Sequence, residues 1–193
     1  MNETYNENTM RETLGKILAD PIYLRNIEYG EPRPGHPEGK IKNHIADLEL
    51  NLEQLKSRGI SSSEYWKLKF LIHVHDTFKA ESEQNVPILH ARSHASLARQ
   101  YASQYTDDQD LLNMIQFHDM NYSMWLDQLH KGSYDTKAFQ VLLDTIQDWD
   151  LFLMFNIIDG RTTGKDTTKL VWFIDEAGQR KSTRVNSTWI DPL

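Results

Sequence analysis

The sequence predicts an all-α fold, an irregular bundle of six or seven helices with a small β-hairpin near the C-terminus. Apolar residues recur at helical spacing along most of the chain, while strand-like alternation is confined to residues 168–186. A chain of 193 residues is long enough to bury one substantial core. We therefore expect a single domain over residues 1–193, with a helical core over 36–160 and the hairpin over 168–186.

The composition narrows the classes of protein and of site. The chain has no cysteine, which excludes disulfides and thiolate zinc sites, so a metal ion would be bound by nitrogen and oxygen atoms. No apolar run approaches the roughly 18 residues of a membrane span, and the polar start MNETYNENTM predicts no secretory signal. The net charge is −7, and no basic stripe alternates with aromatic residues. We therefore expect a cytoplasmic protein without a dedicated nucleic-acid surface.

The first elements follow from helical spacing and from helix-breaking residues. A short helix is predicted over residues 9–19, ending before Pro21. Residues 27–39, which are rich in proline and glycine, predict an ordered loop. A second helix from Lys40 to Arg58 carries His44 on its apolar stripe and stops at Gly59.

The central helices each place a histidine on or near an apolar face. The serines at 61–63 favour the start of a third helix, which carries His75 on its apolar side and Asp76 near its end. His90 is expected to open the next helix, which has an alanine-rich face. A helix capped by Asp107 or Asp108 then carries His118 in line with its apolar residues.

The last third of the chain is predicted to contain one long helix and the hairpin. Residues 119–135 are aromatic and less regular, which suggests a lid or a segment that contacts substrate. A helix from Thr136 to Ile158 would place Asp159 at its C-terminal end. The hairpin would turn near Gly178.

Four histidines and two aspartates on these helices form a candidate set of metal ligands. Buried imidazoles and carboxylates are costly unless something binds them, and a divalent cation does so. The set comprises His44, His75, Asp76, His90, His118 and Asp159. In the predicted arrangement, the first ion is held by His44, His75, Asp76 and Asp159. The second is held by His90 and His118, with Asp76 bridging the two ions.

The predicted chemistry is hydrolytic. A metal ion with open coordination positions activates water, and two ions that share a carboxylate are roughly 3.5–4 Å apart. One or two ions of manganese, iron, cobalt, nickel, zinc or magnesium suit these ligands. Asp76 and Lys79 are the candidate catalytic residues, since Lys79 would neutralise a phosphate oxygen one helical turn beyond His75.

Other polar residues near this set have two interpretations each. His36 could contact substrate or order its loop, and Glu38 could hydrogen-bond a ligand histidine or cap the helix that follows. Arg161 could bind a phosphate or lie in solvent. We expect His94 to be a structural or surface residue and Asp119 to be a helix-end carboxylate.

The ordered pattern H…HD…H…H…D resembles that of the HD-domain metal-dependent phosphohydrolases. Residues 75–79, HDTFK, look like the HD-x-G-K motif of that superfamily, with Phe78 in place of the usual glycine. Residues 36–39, HPEG, are similar to the lead-in of the HD domain of bacterial tRNA nucleotidyltransferases. The resemblance covers about residues 36–160 and implies phosphodiesterase or phosphatase activity. No nucleotidyltransferase head, GYP-type motif or HD-x-x-E-D motif is present, so a stand-alone HD domain with its own substrate is expected.

These observations predict a metal-dependent phosphohydrolase that acts on a small phosphoester, such as a nucleotide or cyclic nucleotide. Two other classes remain open. HD-fold di-iron oxygenases use the same kind of ligand set, and a non-catalytic binding module stabilised by metal would also contain it. The oligomeric state is left open, with a homodimer as one option.

Overall fold

The computed structural model describes residues 7–191, and within this range the predicted all-α class is confirmed. The two ends of the predicted domain over residues 1–193 lie outside the described residues. So does much of the polar N-terminal segment, residues 1–10, on which the prediction of no secretory signal was based. The ten α-helices of the described range are α1 Glu7–Leu18, α2 Pro21–Asn26, α3 Ile41–Leu55, α4 Ser62–Val74, α5 His94–Ala102, α6 Gln109–Phe117, α7 Met120–Lys131, α8 Thr136–Thr145, α9 Trp149–Gly160 and α10 Thr168–Gly178. Two short 3-10 helices occupy Lys56–Arg58 and Ser187–Trp189. Each helix between residues 7 and 191 is too short or too polar to cross a lipid bilayer.

Side-chain caps fix where several helices begin. The Ser61 hydroxyl accepts a hydrogen bond from the backbone N–H of Glu64, and the Glu64 carboxylate accepts one from the backbone N–H of Ser61. This capping box begins α4, as the serine cluster predicted. Asp108 and Asp148 cap α6 and α9 in the same way, with carboxylates that accept backbone N–H groups. These starts determine which residues stand at the opposite ends of α4, α6 and α9.

The core is built around α4 and α9. Every residue from Leu151 to Ile158 in α9 is buried, and so is the second half of α4 from Phe70 to Val74. A helix that is apolar on all sides must be surrounded by other elements. α4 packs against α1, α3, α6 and α9, and α5 packs against α6. The central position of α4 brings its C-terminal end close to the ends of its neighbours.

The prediction of a β-hairpin over residues 168–186 is wrong. Residues Thr168–Gly178 form α10, and the one β-type pairing within residues 7–191 is an isolated bridge between Arg33 and His36. The difference arises because the apolar residues of this segment recur at helical spacing and are buried on one side of α10. They include Leu170, Phe173 and Ala177. In a strand, Leu170 and Phe173 would point to opposite faces, since their separation is odd. One helical face buries them together.

The predicted helix from Thr136 to Ile158 is two helices. The chain is extended at Ile146, and the Asp148 carboxylate accepts the backbone N–H of Leu151 at 2.9 Å to begin α9. The Asp110 carboxylate accepts the backbone N–H groups of Gln147 and Asp148, each at 2.8 Å. These aspartates satisfy N–H groups that a continuous helix would have bonded internally. Asp159 still lies in the last turn of α9, as expected.

Residues 119–135 are more regular than predicted. Met120–Lys131 form α7, which buries Met120 and Met124 and ends at Gly132 in the left-handed region, with φ of 68°. α7 packs against α10. The segment interpreted as a lid is therefore a packed helix, and its aromatic residues line a cavity described below.

Candidate metal centre

Residues from five helix ends converge beside the C-terminal end of α4. His44 lies in the first turns of α3, and His75 directly follows α4 as its C-cap. His118 is the C-cap of α6, and Asp159 lies in the last turn of α9. His94 is the first residue of α5. Because α3, α6 and α9 all pack against α4, and α5 packs against α6, these ends meet at one place.

The first candidate group comprises His44, His75 and Asp159, whose ligand atoms lie within 4.8 Å of one another. Nε2 of His44 is 3.0 Å from Oδ1 of Asp159. Two atoms that each lie about 2.1 Å from one ion are about 3.0–3.4 Å apart in octahedral or tetrahedral geometry. The His44–Asp159 separation is therefore compatible with a shared ion, and it is also that of a hydrogen bond between the two side chains.

The second candidate group comprises Asp76, His94 and His118, whose ligand atoms also lie within 4.8 Å of one another. Nε2 of His94 is 3.2 Å from Nε2 of His118. Two imidazole nitrogens at this distance share either a proton or a cation. His94, which we had interpreted as structural or surface, therefore belongs to the candidate set.

His90 was predicted as a ligand, but the structure does not bring it to either group. Its ring is exposed, and its Nδ1 accepts the backbone N–H of Arg92 at 3.3 Å within a local turn. The predicted helix start at His90 is the source of the error, because the Ser93 hydroxyl accepts the N–H of Ser96 and α5 begins at His94. The corrected set has His94 in place of His90.

Asp76 lies between the two groups and faces both. Its Oδ2 is 3.3 Å from Nε2 of His75 and 3.9 Å from Nε2 of His44. Its Oδ1 is 3.5 Å from Nε2 of His118 and 3.8 Å from Nε2 of His94. One carboxylate oxygen thus points toward each group, which is the arrangement that a carboxylate shared by two ions needs. The first group forms without Asp76, which differs from the predicted four-ligand arrangement.

Hydrogen bonds on the far side of the rings turn the histidine Nε2 atoms toward the centre. Nδ1 of His75 lies 3.1 Å from the carbonyl oxygens of Leu71 and Ile72, and Nδ1 of His118 lies 2.8 Å from that of Ile115. A carbonyl oxygen can only accept, so Nδ1 carries the proton and Nε2 keeps a lone pair in the neutral ring. Metal-binding histidines are oriented in this way.

Glu38, in the loop before α3, lies near His44. Its Oε1 is 3.4 Å from Nδ1 of His44 and 2.9 Å from Nδ1 of His36. Glu38 is therefore hydrogen-bonded to His36 and not, as one interpretation had it, to the candidate ligand His44, whose Nδ1 is buried without a hydrogen-bond partner among residues 7–191. His36 orders this loop through Glu38 and also lines the adjacent cavity.

Buried polar atoms without partners provide a test of whether a cation fits. Within residues 7–191, Nε2 of His75 and Oδ1 of Asp76 are buried and have no hydrogen-bond partner. A buried acceptor left unsatisfied costs about 1–3 kcal/mol, and more when it is charged. Both atoms are electron-pair donors that face the candidate groups. A divalent cation would satisfy them, so the residues present fit a metal ion.

Two lysines neutralise the carboxylates of this centre. Nζ of Lys79 donates to Oδ2 of Asp76 at 2.5 Å, and Nζ of Lys165 donates to Oδ1 of Asp159 at 3.0 Å. Burial alone would raise the pKa of each carboxyl group, but the lysine charges and the neighbouring histidines outweigh it and hold both pKa values well below the usual range. Both aspartates are therefore anionic at neutral pH, as candidate metal ligands must be. Lys165 belongs to no motif that the sequence analysis used.

Asp119 also contributes to the second group. Its Oδ2 is 3.3 Å from Nε2 of His94 and 3.6 Å from Nε2 of His118. Burial lowers the pKa of His118, but the Asp119 and Asp76 carboxylates overcome this and raise it to about 9. A cation that binds Nε2 of His118 must displace that proton. Asp119 is thus a further candidate ligand, although its position at a helix end was correctly predicted.

A cavity of about 520 Å³ opens directly onto the centre. Asp76, His118 and Asp159 form part of its wall, and basic side chains line it beside them. These are Arg33, Lys79, Lys165 and Lys169. Arg161, predicted as a possible phosphate contact, is half-buried and does not line this cavity. A small anionic molecule could therefore reach the candidate ligands alongside Lys79.

Comparison of the chain with protein-family models, with curated proteins and with solved structures finds no match.

Proposed function

We propose that this protein is a metal-dependent phosphohydrolase that acts on a small phosphoester, such as a nucleotide or cyclic nucleotide. One observation carries the proposal: Asp76 lies between two groups of potential metal ligands, and Asp76, His118 and Asp159 border a cavity that four basic side chains line. Ligands for cations and donors for phosphate oxygens occur together in hydrolytic centres of this type.

In this proposal, His44, His75 and Asp159 would hold one ion, and His94 and His118 would hold a second, with Asp76 shared between them. A bound divalent ion lowers the pKa of water toward neutrality and offsets negative charge on phosphate oxygens. Lys79 would supply a further positive charge, since its Nζ is already beside Oδ2 of Asp76. Burial lowers the pKa of Lys79, but the Asp76 and Asp119 carboxylates outweigh it and raise the pKa, so the ammonium group stays charged.

We also propose that the chain is a divergent HD-type domain. The order of the ligands along the chain supports this, with His94 in the position first given to His90. Phe78, which replaces the usual glycine of the motif, is buried against Tyr101, with ring centroids 5.1 Å apart. The substitution is therefore accommodated in the core and leaves the approach to Lys79 open.

The basic cavity favours a phosphoester over the alternatives. Oxygenase chemistry at a di-iron centre requires iron and O₂, neither of which explains several lysines beside the ligands. A binding module without turnover would explain the lysines but gives no role to Asp76, His118 and Asp159 in the wall of the cavity. The experiment below distinguishes the oxygenase and the binding module from the hydrolase.

The test begins with protein purified without chelator. Elemental analysis should find one or two divalent ions per chain, and phosphate release should occur from one or more nucleotide mono-, di-, tri- or cyclic phosphates. Chelation should abolish turnover, and added metal should restore it. Asp127→Asn is the matched control, because Asp127 pairs with Lys131 on the surface of α7 and lines no part of the cavity.

Each alternative predicts a different result. Bound iron, with an absorption change on adding O₂ and an organophosphonate or polyol, would indicate an oxygenase. Metal that raises the melting temperature while the phosphoester panel gives no turnover would indicate a binding module. Failure of the wild-type protein to bind any divalent ion would refute the metal centre itself.

A further inference from the structure

The cavity continues from the metal centre toward a second cluster of side chains that no motif assigns. Lys165 lies in the segment between α9 and α10, Lys169 lies in the first turn of α10, and Tyr122 lies on α7. All three line the cavity. They meet there because α7 and α10 pack against each other, a contact that the corrected helical assignment of residues 168–178 makes possible.

We infer that Lys165, Lys169 and Tyr122 form an anion subsite that binds a second phosphate group of the substrate. This inference rests on the proposed function, since it presumes a first phosphate beside Asp76 and Lys79. It deepens that function by restricting the substrate to phosphoesters that carry a further phosphate.

Lys169 lines the cavity without an anionic partner in direct contact among the described residues. Its side chain is half-buried, and within residues 7–191 its Nζ makes no hydrogen bond or ion pair with protein. Its one specific contact is with the ring of Tyr122, where Nζ is 5.4 Å from the centroid. The attraction of a cation to an aromatic face is weak and offsets only part of the cost of burial. Burial lowers the pKa of Lys169, although the Asp159 and Asp119 carboxylates oppose this from a distance, and a bound phosphate would add a counter-charge in direct contact.

Lys165 stands between Lys169 and the metal centre. Its Nζ donates to both Oδ1 and the carbonyl oxygen of Asp159, at 3.0 Å and 2.9 Å. A cation on Asp159 would reduce the attraction between that carboxylate and Lys165. The ammonium group could then bind an anion while it keeps its bond to the carbonyl oxygen.

The charge of the cavity lining also indicates that metal would promote anion binding. The four basic residues of the lining face four acidic ones, Asp76, Asp119, Asp159 and Asp166. Among the aspartate, lysine and arginine side chains these charges cancel. One divalent cation on the aspartates would make this part of the wall positive by two charges, less the charge of the proton that it displaces from His118. Binding of a molecule with two phosphates should therefore be tighter with metal.

The test compares inorganic phosphate with pyrophosphate by isothermal titration at one fixed concentration of free Mn²⁺. The variants are Lys169→Gln, Lys169→Arg and Lys165→Gln. Lys137→Gln is the control, because Lys137 is exposed on α8 and does not line this cavity. Circular dichroism and melting temperature establish that each variant is folded, and Lys169→Arg preserves the charge if Lys169→Gln is unstable.

We expect wild-type protein to bind pyrophosphate more tightly than phosphate. Lys169→Gln should weaken pyrophosphate binding about tenfold or more, the loss of one charged hydrogen bond, and should leave phosphate binding nearly unchanged. Lys169→Arg should retain most of the affinity, and Lys165→Gln should weaken pyrophosphate selectively. No binding of pyrophosphate by the wild type, or equal losses for both anions, would overturn the inference.

These results separate the inference from the proposed function. Selective loss of pyrophosphate without turnover of any phosphoester would support the subsite and contradict the hydrolase. Turnover of simple monophosphates with no selective loss would support the hydrolase and contradict the subsite.

Discussion

Replacement of Asp76 by asparagine should weaken metal binding while the protein remains folded. The two side chains have nearly the same shape, so the change removes charge and little volume. Asp76 contacts histidines of both groups, at 3.3 Å for His75 and 3.5 Å for His118. Loss of a hydrogen-bonding partner outside the ligand shell already weakens metal binding about 10–100-fold. Loss of the shared carboxylate should therefore weaken binding by at least about 100-fold.

The expected change in thermal stability follows from that factor. At a metal concentration about 1,000 times the wild-type dissociation constant, binding stabilises the fold by about 4.1 kcal/mol. A 100-fold weaker variant at the same concentration would gain only about 1.4 kcal/mol. For a chain of this size, 1 kcal/mol corresponds to about 2–4 °C. The metal-induced rise in melting temperature should fall from about 8–16 °C to about 3–6 °C.

The assay is differential scanning fluorimetry with and without metal, paired with elemental analysis of each protein. Each variant is compared with its own metal-free form, because Asp76→Asn also weakens the ion pair with Lys79 and lowers stability without metal. Asp127→Asn, which breaks an exposed pair, should behave like the wild type. An unchanged metal-induced shift in Asp76→Asn would refute the role given to this carboxylate.

Three further predictions concern the corrected ligand set, a distant ion pair and α10. His94→Ala should lower the metal content or the metal-induced melting shift, whereas His90→Ala should change neither; the reverse result would restore the original assignment. The hydrogen bond from His73 lowers the pKa of Glu49 to about 2, so its contribution to stability is present above the unfolded pKa of about 4.5 and is lost as pH falls toward 2. Glu49→Gln should therefore destabilise at pH 7 but hardly at pH 2–3 in urea titrations, and a pH-independent loss would contradict this. Leu170→Ala should cost about 2–4 kcal/mol in the same titrations, since Leu170 is fully buried, whereas a loss below about 1 kcal/mol would contradict its packing in α10.

The sequence predicted those ligands that lie on long apolar stripes. His44, His75 and His118 each follow the helical spacing of buried residues, and this periodicity places His44 on the inner face of α3 and the other two at the C-caps of α4 and α6. Asp159 was expected at a helix end and lies in the last turn of α9. Helical phase is local information, so it can be read from one sequence.

His90 was misassigned because the segment before it has no such stripe. The chain from Lys79 to Ser93 runs through successive turns, and only a short-range cap decides where α5 begins. Ser93 and Ser96 were a visible signal for that cap, since a serine hydroxyl that accepts an N–H three residues later is typical of a helix start. An error of one helical turn exchanged an exposed histidine for the one that contacts His118.

Lys165 could not be predicted from spacing, because it lies in a loop whose path depends on how α9 and α10 pack. Its position places a positive charge against the carboxylate of Asp159. Asp76 and Asp159 are anionic and largely enclosed, and unpaired charges there would cost several kcal/mol each. Lys79 and Lys165 bond one carboxylate each and supply the positive charge that this cluster requires. A divalent ion would compete with them for the same carboxylate oxygens, and an ammonium group released from a carboxylate would lie beside the cavity as a donor to an anion. If the proposed metal centre and anion subsite are correct, metal binding and anion binding are coupled through these two lysines, only one of which a motif suggested.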